Sequence, residues 1–232
     1  MSINVVEKID DLVKVEHVLA SVFDKSGLES FIPELLRINP EIKFFSTGGT
    51  YKKIKEILGK AADSCLTQVS DYTGQPETQG GLVKTLDFKI YLGLLTETYN
   101  DAHNEDIQRT GSVHIDMTLC NLYPFKDTIS KPDVTVEMAR GNIDIGGPCM
   151  IRASAKNYLR VSSVVDPSDY AAILSEMKSN NGSISLELRY RLARKAFDHT
   201  AVYDRTIADF MGSKSFDTAA ACYTLQMGTA SS

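Results

Sequence analysis

Short apolar runs rich in β-forming residues alternate with segments of helical periodicity along this 232-residue chain. Residues 18–23 and 42–45 have the pattern of buried strands, and each run is followed by apolar residues at helical spacing, over 26–37 and 51–58. Strands that alternate with helices in this way are typical of βα units packed around a parallel sheet. The sequence therefore predicts an α/β fold in which helices flank a mostly parallel central sheet.

The rest of the chain continues the alternation. Further strands are predicted at residues 89–95, 115–122 and 161–165, and further helices at 134–140, at 149–158 and after Pro167, because proline is favoured in the first turn of a helix. Apolar side chains at helical spacing from 185 to 211 predict a long carboxyl-terminal helical segment, as one helix or two. Flexible segments are predicted over the first dozen residues, at 74–81, at 180–182 and after Gly212. We expect one domain over residues 1–212 and a tail over 213–232.

Charge and cysteine usage narrow the class of protein. The formal net charge is -5, and the basic residues are scattered, so we expect neither nucleic acid nor an anionic membrane surface as a partner. No run of 18 apolar residues occurs, and the first residues lack the pattern of a signal peptide, which favours a cytoplasmic protein. The four cysteines lie far apart without a C-x-x-C pair, so we expect reduced thiols and no metal site.

Two strand-to-helix turns have the composition of a phosphate site. The first contains Asp24, Lys25, Ser26 and Gly27, and the second runs over residues 46–50 with two adjacent glycines. Helix N-termini present free N–H groups and a positive dipole end to anions, glycine permits close backbone approach, and Lys25 adds a full charge. A tight βα turn without a ligand explains the glycines equally well. The P-loop and the dinucleotide fingerprint are both absent.

Two lysines and one aspartate are the candidate catalytic residues. Lys84 and Lys156 lie in segments with few competing charges, where a lysine can transfer a proton or stabilise an oxyanion. Asp144 lies between two isoleucines, ahead of a glycine turn, and needs a partner such as Lys156. Solvated surface lysines and a helix-capping turn remain the alternative interpretation.

Taken together and in their order along the chain, the motifs described above and several further stretches resemble the IMP cyclohydrolase domain. That domain is the methylglyoxal-synthase-like half of a bifunctional enzyme that also carries AICAR transformylase. The resemblance extends from about residue 18 to residue 211. It depends on the stretches 21–27, 46–50, 69–74, 76–77, 83–86, 121–125, 143–148, 152–157 and 196–204. It implies a methylglyoxal-synthase-like α/β fold and the dehydrative closure of 5-formamidoimidazole-4-carboxamide ribotide to IMP. It further implies no cofactor or metal, a homodimer, and a separate AICAR formyltransferase as the source of the substrate.

Carried over residue by residue, the resemblance also implies a site for a purine ribonucleotide. The implied phosphate site consists of Ser21, Lys25, Ser46, Thr47, Gly48, Gly49 and Thr50. The implied neighbours of the reacting formyl and carboxamide groups are Lys84, Thr85, Asn121, Tyr123, Asp144 and Lys156. Gly146 would recognise the base through its backbone, beside Ile145, and Arg152 would supply a compensating cation.

The chain departs from the family pattern on one side of this implied pocket. Leu82 stands where the family usually has arginine, Asp87 and Phe88 where it has histidine and proline, and Phe23 where it has serine. Losing a guanidinium removes a bidentate partner that leucine cannot replace. A non-catalytic nucleotide-binding or regulatory module on the same fold is therefore a second hypothesis. Phosphate elimination of the methylglyoxal synthase type is a third, based on fold analogy alone.

Overall fold

A parallel sheet forms the centre of the computed structural model, which describes residues 5–75 and 85–226. The strands are β1 Leu12–Lys14, β2 His17–Val22, β3 Lys43–Ser46, β4 Leu66–Gln68, β5 Met117–Asn121, β6 Ser162–Val164 and β7 Ser183–Ser185. The helices are α1 Leu28–Ile38, α2 Gly48–Leu58, α3 Ala62–Cys65, α4 Val69–Thr73, α5 Phe88–Leu95, α6 Asp101–Thr110, α7 Phe125–Ile129, α8 Val136–Gly141, α9 Gly146–Lys156, α10 Tyr170–Ser179, α11 Leu186–Gly212 and α12 Phe216–Ala220. No helix in these two ranges is both long and apolar enough to cross a membrane.

The central sheet has the strand order β4-β3-β2-β5-β6, and every neighbouring pair is parallel. Ala20 pairs with Ser46, and Val22 pairs with Asn121, so the last residues of β2, β3 and β5 reach the same edge. Both faces of a parallel sheet are covered by helices, which explains the continuous burial of β5 from Met117 to Cys120. The predicted α/β fold with a mostly parallel sheet is confirmed.

Each face of the sheet has its own hydrophobic core. Val18, Ala20 and Val22 point to the face covered by α1 and α10, where Phe31 and Ile173 are fully buried. Leu19 and Cys120 belong to the opposite core, together with apolar residues of α5 and α9. Alternate residues of a strand point to opposite faces, so β2 contributes to both cores.

The long carboxyl-terminal segment is a single helix, α11, which the sequence predicted as one helix or two. Its Arg189 is fully buried and donates hydrogen bonds to backbone carbonyl oxygens. The acceptors belong to Asp10, Asp11, Tyr158, Leu159 and Ile184. Burial lowers the pKa of Arg189 to about 10. The sequence predicts that the first dozen residues are flexible. These hydrogen bonds, and the antiparallel pairing of β1 with β7, fix the last residues of that segment.

The predicted strand at 89–95 is wrong, because these residues form α5. A short apolar run fits a buried helix as well as a strand, and periodicity alone does not separate them. Asp87 decides the outcome locally: its side chain accepts a hydrogen bond from the Lys89 N–H at 2.8 Å, which caps the helix. Gly93 permits close packing, since a Cβ there would lie 2.5 Å from the Val113 carbonyl oxygen.

Candidate active site

A cavity of about 330 Å³ lies at the carboxyl edge of the sheet. The ends of β2 and β5, the start of α2 and the segment leading into α9 form its walls. Twelve residues that the sequence pointed to line it: Ser21, Lys25, Thr47, Gly48, Gly49, Thr50, Thr85, Asn121, Tyr123, Asp144, Ile145 and Gly146. Its other lining residues are Val22, Phe23, Leu86, Gly141, Ile143, Gly147 and Met150. The cavity is where ligands bind in open α/β sheets.

One end of the cavity has features that favour the binding of an anion. It contains the start of α2, whose first N–H groups have no intrahelical acceptors. Gly48 has a φ of 45°, a conformation that favours glycine. The hydroxyl groups of Ser21 and Thr47 lie 3.0 Å apart at the same end. Free N–H groups, the positive end of the helix dipole and two hydroxyls have the composition of an anion site, which we call the anion seat.

Lys25 lies against this seat. A Cβ on Gly49 would be 3.9 Å from the Lys25 Nζ, so the ammonium group is next to the first turn of α2. Lys25 Nζ donates to the carbonyl oxygens of Val22 at 3.3 Å and Phe23 at 3.1 Å. Its loop is held by Asn121, whose Oδ1 accepts from the Phe23 N–H at 2.7 Å. The cation is therefore already placed beside the anion seat.

Two hydroxyls that the sequence placed at the phosphate serve the fold. Thr50 Oγ1 accepts from the Val22 N–H and donates to the Val22 carbonyl oxygen, both at 3.0 Å, which ties α2 to β2. Ser46 is fully buried, donates to the Ala20 carbonyl oxygen at 2.8 Å, and does not line the cavity. Thr50 still forms part of the cavity wall, but its hydroxyl already makes hydrogen bonds to the backbone of Val22.

Asp144 lines the same cavity. Its Oδ1 accepts from the Gly147 N–H at 2.9 Å, and its own N–H donates to the Tyr203 hydroxyl at 2.8 Å. Burial raises the pKa of the Asp144 carboxyl group, and hydrogen bonds from the backbone N–H groups of Gly147 and Tyr123 oppose the rise. A half-buried carboxylate with a raised pKa is a stronger proton acceptor than an ordinary aspartate.

Thr85 and Tyr123 are two hydroxyl-bearing residues that line the cavity with Asp144. Thr85 is buried, and a Cβ on Gly146 would lie only 2.7 Å from its Oγ1, so only glycine fits at 146 without a shift. Burial and the nearby charge of Asp144 raise the pKa of the Tyr123 hydroxyl. The phenol therefore stays protonated, and able to donate, above its ordinary range.

Arg152 and Lys156 do not line the cavity. Both are exposed on the outer side of α9, and the Arg152 guanidinium lies 5.8 Å from the centre of the Phe197 ring. Lys156 ends the helix that Gly146 begins, roughly 15 Å away at 1.5 Å of rise per residue. The Asp144 carboxylate accepts hydrogen bonds from the backbone N–H groups of Gly147 and Tyr123, and Lys156 does not pair with it. The catalytic role of Lys156 and the binding role of Arg152 stay predictions.

Lys84 and Leu82 lie outside the described residues, as do the other residues of 76–84, so the role of Lys84 also stays a prediction. Gly141 and Met150 line the cavity without having been singled out from the sequence. Helical spacing offered a signal for Met150, because it follows Gly146 by four residues and so shares its face of α9.

Residues 5–75 and 85–226 contain no cluster of three or more histidine, cysteine, aspartate or glutamate side chains that could hold a metal ion. All four cysteines are free thiols; Cys65 and Cys120 are buried, and Cys149 is exposed.

Comparison with known protein families gives two matches along the chain. Residues 27–149 match the family of the MGS-like domain, and residues 154–231 match the family of the AICARFT/IMPCHase bienzyme. The first match contains Thr47, the start of α2 and Asp144, whereas Ser21 and Lys25 precede it. The second begins within α9.

Named relatives agree with these matches. The bifunctional purine biosynthesis protein PurH of Chlorobium phaeobacteroides strain BS1 is 46% identical over 87% of this chain, and that of Neisseria meningitidis serogroup A is 43% identical over 88%. The aligned part of the chain spans 37% of the length of each of these relatives. Among solved structures, the crystal structure of ForH is similar, with a TM-score of 0.70, 30% identity, and coverage of 85% of this chain and 99% of that one.

Proposed function

Because the chain belongs to the MGS-like domain family and its later part matches the AICARFT/IMPCHase bienzyme, we propose that it is an IMP cyclohydrolase, which closes the second ring of the purine base on 5-formamidoimidazole-4-carboxamide ribotide. The observation that carries the proposal is that one cavity is lined both by the anion seat and by a half-buried carboxylate with hydroxyl-bearing residues. The relatives named PurH support a place in purine biosynthesis.

The two ends of the ribotide orient it in the cavity. The phosphate binds the free N–H groups at the start of α2, the Ser21 and Thr47 hydroxyls and the Lys25 ammonium group. The base then points toward Gly146, whose backbone is accessible because position 146 has no side chain. Both reacting groups belong to the same base, so the protein contributes mainly by holding them in a near-attack geometry.

Ring closure forms one C–N bond and releases one water. The carboxamide nitrogen attacks the formyl carbon and gives up a proton, which Asp144 accepts. The formyl oxygen becomes an oxyanion that the Thr85 and Tyr123 hydroxyls stabilise; it is then protonated and leaves as water with the second proton from the formamido nitrogen. Each fixed donor to a developing oxyanion typically lowers the barrier by roughly 2.7–4 kcal/mol.

Lys84 and Lys156 are the two lysines with proposed roles in the reaction. We assign Lys84, which precedes the cavity residue Thr85 in the chain, to charge stabilisation of the oxyanion. Lys156 lies roughly 15 Å along α9 from Gly146, so its contact with the ligand requires a second copy of the chain or a shift of α9. A homodimer is part of the proposal, and sedimentation equilibrium tests it by the mass of the particle.

We also propose that a separate AICAR formyltransferase supplies the substrate and that the reaction takes place in the cytoplasm. The relatives are named bifunctional, and the aligned region corresponds to 37% of their length. A formyltransferase activity would form the formyl group that the proposed reaction consumes.

The test is a spectroscopic assay of IMP formation from the formylated ribotide with purified protein. We expect turnover by the wild type and a loss of about 100-fold or more for Asp144→Asn. Asp63→Asn is the matched control, because Asp63 is an exposed aspartate on α3 outside the cavity, and it should leave turnover unchanged.

A nucleotide-binding module without catalysis is the second candidate, favoured by the half-exposed Phe23 ring beside the anion seat. Calorimetric binding of IMP without any turnover of the formylated ribotide would support this module and refute the enzyme.

A further inference from the structure

Tyr123 presents its side chain to the cavity with little support from the rest of the fold. The residue is 53% exposed, although Leu122 before it and Phe125 after it are buried. Its backbone is fixed, since the Phe125 N–H donates to the Tyr123 carbonyl oxygen at 2.8 Å. A fixed backbone does not fix a side chain that solvent surrounds on one side, so the direction of the hydroxyl depends on what the ring packs against.

The Phe23 ring provides that packing. The two ring centroids lie 5.9 Å apart, and the ring planes meet at 74°, which is an edge-to-face arrangement. This geometry is preferred between aromatic rings, because the positive edge of one ring meets the negative face of the other. Both rings line the cavity. Phe23 is therefore placed to restrict the rotation of the Tyr123 side chain.

The backbone of Phe23 is firmly anchored, and its ring is 51% exposed. Its N–H donates to Asn121 Oδ1 at 2.7 Å, and the N–H of Asp24 donates to the same oxygen at 2.9 Å. Asn121 Nδ2 donates back to the Asp24 carbonyl oxygen at 2.9 Å, and Lys25 Nζ donates to the Phe23 carbonyl oxygen at 3.1 Å. The side chain of Asn121 thus clamps the loop from β5, and the loop supplies a rigid base for the phenylalanine ring.

We propose that Phe23 is a positioning residue, which holds the Tyr123 ring so that its hydroxyl points at the reacting end of the cavity. The inference rests on the proposed function of Tyr123 as an oxyanion donor. Phe23 acts through Tyr123 and needs no contact with the reacting atoms. Because the aromatic edge supplies the packing, tyrosine at position 23 can replace phenylalanine, whereas alanine cannot.

The kinetic test is a double-mutant cycle between positions 23 and 123, with Phe23→Ala, Tyr123→Phe and the double variant. We expect Phe23→Ala to lower kcat about 2- to 10-fold with KM nearly unchanged, and Phe23→Tyr to restore kcat. In the Tyr123→Phe background, Phe23→Ala should cause no further loss, because the hydroxyl that it positions is gone. An equal loss in both backgrounds would overturn the proposal. Phe216→Ala is the control, since Phe216 is 80% exposed on α12, away from the cavity.

A second measurement does not depend on turnover. In protein labelled with ¹³C at the tyrosine ζ carbon, the Tyr123 signal is the one that disappears in Tyr123→Phe. We expect this signal to move in Phe23→Ala and to stay in place in Phe216→Ala; a signal that does not move in Phe23→Ala contradicts the positioning role. If the wild type forms no IMP, the proposed function fails, and the spectrum alone decides whether Phe23 positions Tyr123.

Discussion

Two adjacent glycines determine where the reactive groups of the cavity lie. A Cβ on Gly147 would be 2.5 Å from Asp144 Oδ2 and 2.7 Å from Leu122 Cδ2. A Cβ on Gly146 would collide with the Thr85 hydroxyl instead. Real Cβ atoms do not approach other atoms this closely in packed interiors, so each glycine lets one polar group reach the cavity. The positions of Asp144 and Thr85 therefore depend on the absence of two side chains.

Gly147→Ala should displace the Asp144 carboxylate and reduce IMP formation about 100-fold, because a misplacement of about 1 Å in a reacting group has an effect of this size. Gly141→Ala is a matched control: Gly141 also lines the cavity, but a Cβ there meets no atom within 4 Å. Steady-state kinetics of both variants checks the prediction. Equal kcat values for the two variants would show that the Asp144 position is unimportant.

The pH dependence of the reaction should report on Asp144. Burial raises the pKa of this carboxyl group, so it takes up a proton at a higher pH than an ordinary aspartate, whose pKa is about 3.9. Because the base must be ionised, kcat/KM should fall as the pH drops through this raised value. The Asp144→Asn variant should lack the acidic limb in its residual activity. A wild-type profile that is still flat at pH of about 4 would refute the assignment.

At the scale of secondary structure elements, a buried ion pair joins the strands at the edge opposite the cavity. Arg160 Nη1 donates to Asp116 Oδ1 at 2.8 Å, and Arg160 Nη2 donates to the Ile115 carbonyl oxygen at 3.0 Å. Asp116 Oδ2 accepts from the His17 N–H at 2.8 Å, which links the starts of β2 and β5. Removing one partner of such a pair leaves a buried charge uncompensated, so the pair keeps these strands in register.

His114, next to this ion pair, should make folding stability depend on pH. Burial, with help from the charges of Arg160 and His17, lowers the pKa of His114 to about 4. The unfolded chain binds this proton below about 6.5, whereas the folded chain resists it, so stability should decline as the pH falls from 6.5 toward 4. The His114 Nδ1 lies 3.1 Å from Thr96 Oγ1, a contact that asparagine can retain. Thermal unfolding across this pH range should show a smaller decline for His114→Asn; an identical decline would contradict this account.

The elements differ in how far the sequence could predict them. The runs at β2, β3 and β5 are mostly buried and mostly apolar, as expected for strands covered on both faces, and α11 keeps helical spacing over 27 residues. The apolar run of α5 has no such signature, and its helical state depends on the Asp87 cap and the Gly93 packing. The three-residue strands β1 and β7 are too short to show a pattern.

The same limit applies to the candidate site. The carboxyl ends of parallel strands lie at one edge of the sheet, so the two strand-to-helix turns could be predicted to lie at the same edge. The direction of α9 could not be inferred, and it carries Lys156 away from Asp144. The internal use of the Ser46 and Thr50 hydroxyls also depends on the register of β2 against β3.

At the scale of the whole molecule, the sheet, both described cores and the cavity involve no residue beyond Phe210. The segment that follows adds α12, which has no buried residue, and the Tyr223 hydroxyl, which donates to Glu137. The predicted domain boundary near residue 212 stays a prediction. The structure supports it by the small amount of packing on its far side.

A chain that ends after Lys214 should keep its fold and its activity. The described part of the lost segment, residues 215–226, contributes an exposed hydrogen bond to Glu137 and the exposed side chain of Phe216. The Tm should therefore fall by no more than about 4 °C, which corresponds to ~1–2 kcal/mol in a chain of this size. Differential scanning calorimetry of the full-length and shortened chains measures the difference. A larger drop, or the loss of IMP formation, would place the tail within the functional domain.

The most direct test of the account is a crystal of the protein soaked with the formylated ribotide, because it shows both the place of binding and the outcome of the reaction. We expect density for closed-ring IMP in the wild-type cavity, with the phosphate at the start of α2 beside Lys25 and the base against Gly146. Asp144→Asn crystals should retain the open-ring ribotide in the same orientation. An unreacted ribotide in the wild-type cavity, or a nucleotide bound elsewhere on the molecule, would contradict the proposal that this cavity closes the purine ring.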